Sequence, residues 1–548
     1  MKTISGIFLL LAAGIILQSC SSGRNDDPSI VFRYNEPSGI SSLDPAYARN
    51  LSNIWAVNQI FNGLVELDDQ MQVVPSLAHR WEILDDGRLY RFYLRDDVVF
   101  HHDAKLSGGQ GRKLRASDFV YSFNRIIDQE VSSPGSWVFN EVERRPDGKL
   151  QVSAPNDTTL EIRLRQSFPP FLGILTMPYC AVVLPEAVNQ HGKDFRMRPV
   201  GTGPFRFTYW KEGVKLVLRK NPWYFEWEQG AQLPHLEAVS ISFIIDKQAA
   251  FLEFIKGNLD FMSGLDPSYQ DELLQADGSL NPAYADRVEL ITQPYLNTEY
   301  LGFMLNSRDL PESSAIVGDR RIRQAINYGF DRVKMTRYLR NNIGTPGLSG
   351  FIPAGLPGYD STGSFGYNYD PQKVADLLAE AGYPGGKGLP PITLSTTAEY
   401  LDLCKYIQHE LEQFGITIKI DVSPPAALKE LKAQGKLPFF RASWVADYPD
   451  AENYLSLFLS ANHCPEGPNY FRYAAERFDN LYDQAMRETD PELRSRLYRS
   501  MDSLAMTEAP AVVLYYDQVL RFTSKDLTGL GSNAINLLKV KRVRKAKG

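Results

Sequence analysis

The side chains of this 548-residue sequence that could do chemistry by type and spacing lie in a few places. Cys20 closes the run Leu17-Gln18-Ser19-Cys20, behind the apolar stretch Ile7 to Leu17. A thiol placed there suits thioether attachment of a diacylglycerol, and small Ser19 gives a peptidase access to the preceding bond. His101-His102-Asp103 is the one close His/carboxylate cluster. Zinc wants converging ligands, often an i, i+4 pair on a helix, whereas adjacent residues of an extended segment point to opposite faces. The stretch therefore reads as a loop after Val98-Val99-Phe100, and no metal site is expected. Asp447, Asp450 and Glu452 form an acidic group behind Trp444. Any of them could cap a helical segment at 453–459.

Motifs for catalysis are missing. Gly108-Gly109-Gln110-Gly111-Arg112-Lys113 lacks the GxxxxGK[ST] spacing that aims backbone N–H groups at phosphate, and reads as a surface turn. The sequence contains no GxSxG elbow, HExxH or CxxC pair, and its seven histidines are scattered. No enzyme activity and no cofactor are expected.

The elements that would hold these residues start with an export signal. Lys2 precedes the apolar run, which is shorter than the roughly 20 residues needed to cross a bilayer and fits a secretory signal over residues 1–19. Two acyl chains on Cys20 would anchor stably, and residues 21–28 read as a polar stalk within a linker at 20–29. Removing residues 1–19 takes away only Lys2, so the net charge moves from −6 to −7, which argues against nucleic acid as a partner. A mature chain of about 529 residues exceeds one compact core and points to two or three domains. Cys180, Cys404 and Cys464 allow one disulfide at most.

Strand and helix signals alternate throughout. Leu160–Leu164 and Ile416–Ile420 alternate apolar with polar residues, as half-buried strands do, and Val239 to Ile245 suits a central strand. Asp370-Pro371, Asp490-Pro491 and Asp319 supply helix starts before apolar residues at helical spacing. Gly201-Thr202-Gly203-Pro204 reads as a structural turn, with glycines for backbone freedom and proline for rigidity. The C-terminal stretch Lys539 to Lys547 carries six basic residues and no acid, and reads as a last strand with a solvated basic tail.

Several segments in fixed order carry a resemblance. They are Ser42-Leu43-Asp44-Pro45-Ala46, Asn58 to Val65, Leu77 to Glu82, Ala116 to Ser122, Gly201 to Phe205, Asn221-Pro222-Trp223-Tyr224, Arg321 to Ile326 and Trp444 to Asp450. Together they resemble the bacterial family 5 extracellular solute-binding proteins, the peptide-binding components of ABC importers.

The resemblance implies an α/β, periplasmic binding protein-like class II (cluster C) fold. Two large lobes and a smaller extra domain would enclose a ligand cleft between the lobes. Domain I would comprise 30–54, 188–295 and 515–548, domain II 55–187 and domain III 296–514. Crossings near 293–298 and 514–517 would form a hinge. The family binds extended peptide by main-chain hydrogen bonds and meets its ammonium with the Asp of a Trp-x-x-Asp segment. That Asp matches Asp447 here, with Trp444, Val445 and Ala446 lying along the ligand. A peptide ligand, ABC permease subunits and a membrane reached through the lipid are the implied partners of a monomeric, envelope-located lipoprotein. None of Arg320, Arg321, Arg323 and Arg332 matches the cation that holds a ligand carboxylate in dipeptide-selective relatives; all four read as lying on a helix with ordinary surface roles. A receptor for oligosaccharide, metal chelate or haem is the alternative within the fold, and a surface-anchored hydrolase the alternative outside it.

Overall fold

The computed structural model describes residues 30–103, 111–266, 269–305 and 312–546. The signal at 1–19, Cys20, the stalk and Gly108-Gly109-Gln110 lie outside the described residues. Among those described, no helix is long and apolar enough to cross a membrane.

Architecture follows from one large mixed sheet. Its strands run in the order Ile418–Val422, Ile392–Thr396, Phe439–Val445, Val288–Phe303, Ala511–Ser524, Phe261–Ser263, Val31–Asn35, Ala238–Ser242, Lys215–Lys220 and Phe205–Lys211, with Thr345–Pro346 added beside Ala511–Ser524. The long antiparallel pair Val288–Phe303 and Ala511–Ser524 forms its middle. A smaller antiparallel sheet joins Ala78–Leu84, Leu89–Leu94, Thr159–Arg163 and Val152–Asn156 in that order. Aromatic side chains such as Phe32, Phe92, Tyr300 and Phe351 fill a core that spans much of the chain, and a second cluster gathers Leu301, Phe303, Ile322, Ile326 and Ile407.

Predicted helix starts are where their chemistry puts them. Asp370 accepts from Lys373 N at 3.1 Å and begins Pro371–Glu380. Asp490 accepts from Glu492 N at 2.8 Å and begins Pro491–Glu508. Asp319 accepts from Arg321 N at 2.9 Å and begins Arg320–Tyr328. The alternating stretches form the strands Thr159–Arg163 and Ile418–Val422, each within two residues of expectation.

Several expectations need correction. The glycines of Gly201-Thr202-Gly203-Pro204 are required by close approach and not by unusual φ. A Cβ on Gly201 would lie 2.1 Å from Ile60 O, and one on Gly203 would lie 2.6 Å from it. His101 locks this turn. Its Nε2 is 2.9 Å from Gly203 O, so Nε2 donates, and Nδ1 then accepts from Gly201 N at 3.4 Å. Burial favours that neutral ring and pushes its pKa down to about 4. Gly201→Ala should therefore destabilise the fold by about 1–3 kcal/mol, the usual cost of overpacking; urea denaturation checks this.

As far as residue 546, the last described, the basic C-terminal stretch is no solvated tail. Lys541 is buried and bonds Glu66 at 2.9 Å and Glu226 at 2.8 Å, and Lys545 bonds Asp260 at 2.7 Å. Arg544–Lys545 also pairs with Leu527–Thr528, so acids elsewhere in the chain had already claimed these cations. Arg112, which follows the glycine-rich stretch in sequence, is held by Asp118 at 2.7 Å and Glu186 at 2.6 Å. Cys180, Cys404 and Cys464 are buried free thiols.

Candidate functional site

A cavity of about 1030 Å³ lies where the stretches 134–141 and 166–179 face the stretch 444–487. That volume is at the upper end of small-molecule sites. The two walls touch: the rings of Trp137 and Tyr448 are 6.3 Å apart, and a Cβ on Gly173 would sit 3.6 Å from Pro449 Cδ. Tyr295, Ile535, Leu537 and the stretch 48–54, which includes Arg49, line it as well.

Trp444, Val445, Ala446 and Asp447 all line this cavity. The strand Phe439–Val445 carries them in, with Trp444 and Val445 paired to Thr298 and Asn297. On its other edge, the only ladder partner given by the described residues is Ser395 beside Phe440. The segment Arg441–Val445 thus presents one open edge to the side away from Val288–Phe303. After Val445 the chain turns, and Ala446 N donates to Leu296 O at 2.9 Å.

Leu296 belongs to a break in the central ladder. The register slips between Pro294, which has no N–H to pair, and Thr298. The freed Leu296 N donates to Ala534 O at 2.7 Å, and Leu296 O also accepts from Tyr454 Oη at 2.7 Å. This junction fixes the start of the Asp447 loop. Asn453 fixes its end: Oδ1 accepts from Trp444 Nε1 at 2.9 Å and from Asp447 N at 3.1 Å.

The three acids behind Trp444 have separate surroundings. Asp450 is buried and accepts from Glu452 N at 2.9 Å, one residue ahead of Ala451, the N-cap of the short helix Glu452–Leu455, which has no side-chain cap. Glu452 is buried and accepts hydrogen bonds from the phenols of Tyr448 and Tyr482; burial outweighs those bonds and pushes its pKa up to about 7. Asp447 makes no ion pair among the described residues. Its side chain is exposed and lines the cleft. Water reaches Asp447 through the cleft, but the protein packed around the carboxyl partly desolvates it and pushes its pKa up to about 6, opposed by a hydrogen bond from the Asn453 side chain. An ionisable carboxylate, partly desolvated and without a cation, is a receptor for one.

Arg320 and Arg321 lie on the helix Arg320–Tyr328 in surface ion pairs as expected, whereas Arg323 and Arg332 differ. Arg332 begins a separate helix, Arg332–Leu339. Arg323 and Arg332 are buried, donating to main-chain carbonyls that include Ala509 O at 3.1 Å and Val513 O at 2.6 Å. Arg332 ties its helix to the Ala511–Ser524 strand, Arg323 ties its helix to the Glu508-Ala509 carbonyls just before that strand, and neither has a surface role. The cations that line the cavity are Arg49 and Arg487, neither singled out from the sequence. For Arg49 the available signal was position, three residues beyond Ser42-Leu43-Asp44-Pro45-Ala46. Among the described residues no cluster of His, Cys, Asp or Glu is arranged to hold a metal.

Comparison with known proteins gives a consistent result. The glutathione-binding protein GsiB of Escherichia coli strain K12 is 25% identical over 531 residues, covering 96% of this chain and 95% of that protein. GsiB of Salmonella paratyphi A is 27% identical over 498 residues, 90% of each chain. Among solved structures, the ABC transporter-associated periplasmic binding protein DppA of Helicobacter pylori, in complex with peptide STSA, superposes with a TM-score of 0.76 at 22% identity, over 94% of this chain and 98% of that one. The unliganded open form of the periplasmic murein tripeptide-binding protein MppA gives a TM-score of 0.75 at 23% identity, over 95% and 98%. The fold is thus the two-lobed periplasmic binding protein fold. The model described as bacterial extracellular solute-binding proteins, family 5 Middle, matches residues 72–464, and this chain belongs to that family.

Proposed function

We propose that this protein is an extracytoplasmic receptor of an ABC importer, binding peptides in extended form in the 1030 Å³ cleft and passing them to a permease. The observation that carries this reading is Asp447, a partly desolvated carboxylate without a cation, standing just past a strand with an open edge. A peptide supplies an ammonium for the first and main-chain groups for the second. Relatives named for binding glutathione and murein tripeptide support the reading.

Residues 30–54, 188–295 and 515–548 would form domain I, 55–187 domain II and 296–514 domain III. Closure would bend the chain near 293–298 and 514–517, where the central ladder already slips. A lipid on Cys20 would keep the monomeric receptor at a membrane and raise its effective concentration near the permease. The cleft would bind and release without turnover.

Native mass spectrometry of the purified protein, followed by thermal melting with pooled tripeptides, tests this. Peptide masses that leave on partial unfolding are expected. A free peptide pool at 100-fold its dissociation constant should add about 2.7 kcal/mol of stability. Stabilisation by oligosaccharides or metal chelates, with none by peptides, would overturn the reading.

A further inference from the structure

Two exposed tryptophans stand at the end of the large sheet where the described chain begins. Ile30 directly precedes the strand Val31–Asn35, and its carbonyl accepts from Glu237 N at 3.0 Å, while Glu237 O accepts from Lys220 N at 2.8 Å. Lys220 ends Lys215–Lys220 and pairs with Phe205, the first residue of Phe205–Lys211. Ile30, Glu237, Lys220 and Phe205 therefore form one row across this end of the sheet. The segment between Lys220 and Glu237 leaves and re-enters the sheet at that row, and it carries Trp223 and Trp227. Trp223 is 57% exposed and Trp227 66%, whereas the other five tryptophans are buried or half-buried. Large aromatic rings left in water on one short segment mark a contact surface.

Cations share this end. Lys545 donates to Asp260 Oδ1 at 2.7 Å, and Asp260 Oδ2 accepts from Arg33 N at 2.8 Å, so Arg544–Lys545 lies beside the start of the first strand. Burial, and then Arg544 and Lys220, lower the pKa of His235 while Glu228 opposes them, which sets both cations near one ring of the tryptophan-bearing segment. Arg544 is exposed, and neither it nor Lys220 makes an ion pair among the described residues. Indole rings beside free basic groups suit the boundary of a phospholipid bilayer, where the rings sit at headgroup level and the cations meet anionic headgroups. The chain also brings a bilayer to this end and no other partner: even fully extended, the ten residues from Cys20 to Ile30 span only about 35 Å. Ile245, another strongly exposed apolar side chain, follows Ser242 at the opposite end of Ala238–Ser242.

We infer that this end of the sheet, through Trp223, Trp227, Arg544 and Lys220, docks on the anionic phospholipid bilayer that holds the lipid of Cys20, and so fixes how the folded chain is oriented there. This rests on the lipid anchor and adds what the folded chain itself does at the membrane. Such a contact is weak alone, because each basic side chain near an anionic surface shifts partitioning only about fivefold. The tether makes it effective, since a short linker raises the local concentration to about the millimolar range.

The protein extracted from membranes is first weighed intact, which shows whether Cys20 carries acyl groups. It is then reconstituted into phosphatidylglycerol vesicles that contain a lipid with a nitroxide quencher near its headgroup. Tryptophan emission should be quenched in the wild type, the quenching should be lost in Trp223→Ser/Trp227→Ser, and Ile245→Ser should keep it. Arg544→Gln should lower the ratio of docked to undocked protein about fivefold in phosphatidylglycerol and leave it unchanged in phosphatidylcholine. Each variant's melting temperature confirms that it is folded. An acylated wild type without quenching, or a double variant quenched as strongly as wild type, would overturn the docking surface while the anchor stands. A chain without acyl groups would overturn the anchor, and this inference falls with it.

Discussion

Replacing Asp447 with Asn is expected to weaken binding of free-amine peptides by about 30-fold or more, the scale of about 2–5 kcal/mol lost when one partner of a desolvated charge pair is removed. The exchange keeps the shape of the side chain, and Asn453 Oδ1 accepts from the main-chain N of residue 447, so the loop should hold its course. Calorimetric titration of both proteins would show the difference. The same carboxyl makes binding depend on pH. Its pKa without ligand lies at about 6, raised from 3.8 by desolvation. A bound ammonium needs the ionised form, so below pH 6 each bound ligand must expel a proton. Affinity should fall toward about tenfold per pH unit below 6 and level off above 7. The Asn variant should show no such slope. For folding the sign is opposite. The folded chain holds this proton more tightly than the unfolded one, so its stabilising contribution is present at low pH and is lost as pH rises through 6. A pH-independent affinity in wild type would count against Asp447 as the anchor.

The second large effect is expected at the central strands. Glu299 is 2% exposed and pairs with Arg441, whose guanidinium lies 3.2 Å from the centre of the Tyr400 ring. Burial, followed by the charge of Asp517, raises the pKa of Glu299, and Arg441 opposes both. Asn297 Nδ2 bridges Glu299 at 3.1 Å and Asp517 at 3.3 Å, while Arg340 holds Asp517 at 2.8 Å. Removing Arg441 leaves a buried carboxylate facing a second one. Arg441→Met should therefore cost about 3–5 kcal/mol, and adding Glu299→Gln should recover most of it, because replacing both charges is often close to neutral. Urea denaturation of the single and double variants measures this. A single variant as stable as wild type would mean that the pair contributes little to the proposed hinge region.

Local chemistry was the most legible part of this sequence. Asp370, Asp490 and Asp319 cap the helices they precede because a cap needs only three or four neighbouring residues. Cluster positions such as Trp444 to Asp447 could be named from their segment, and they line the cavity. What could not be read depends on partners far along the chain. Lys541 looks like a tail residue until Glu66 and Glu226 are seen around it, and Arg323 looks like a surface residue until it is found under the Glu508-Ala509 carbonyls. Gly201 was legible as a turn, but the reason for glycine lies in Ile60, 141 positions earlier. In the sequence only the Trp-x-x-Asp resemblance set Asp447 apart from Asp450 and Glu452; by residue type the three are alike, and in the structure they differ in what each carboxyl touches.

The central claim is that this cleft receives a peptide by its ammonium. It is tested most directly by titrating one tripeptide pool, with free and with acetylated N-termini, into the wild-type protein at pH 7.5. The free pool should saturate a single site per chain, and the acetylated pool should bind at least about 30-fold more weakly. Equal binding of the two pools would contradict the account.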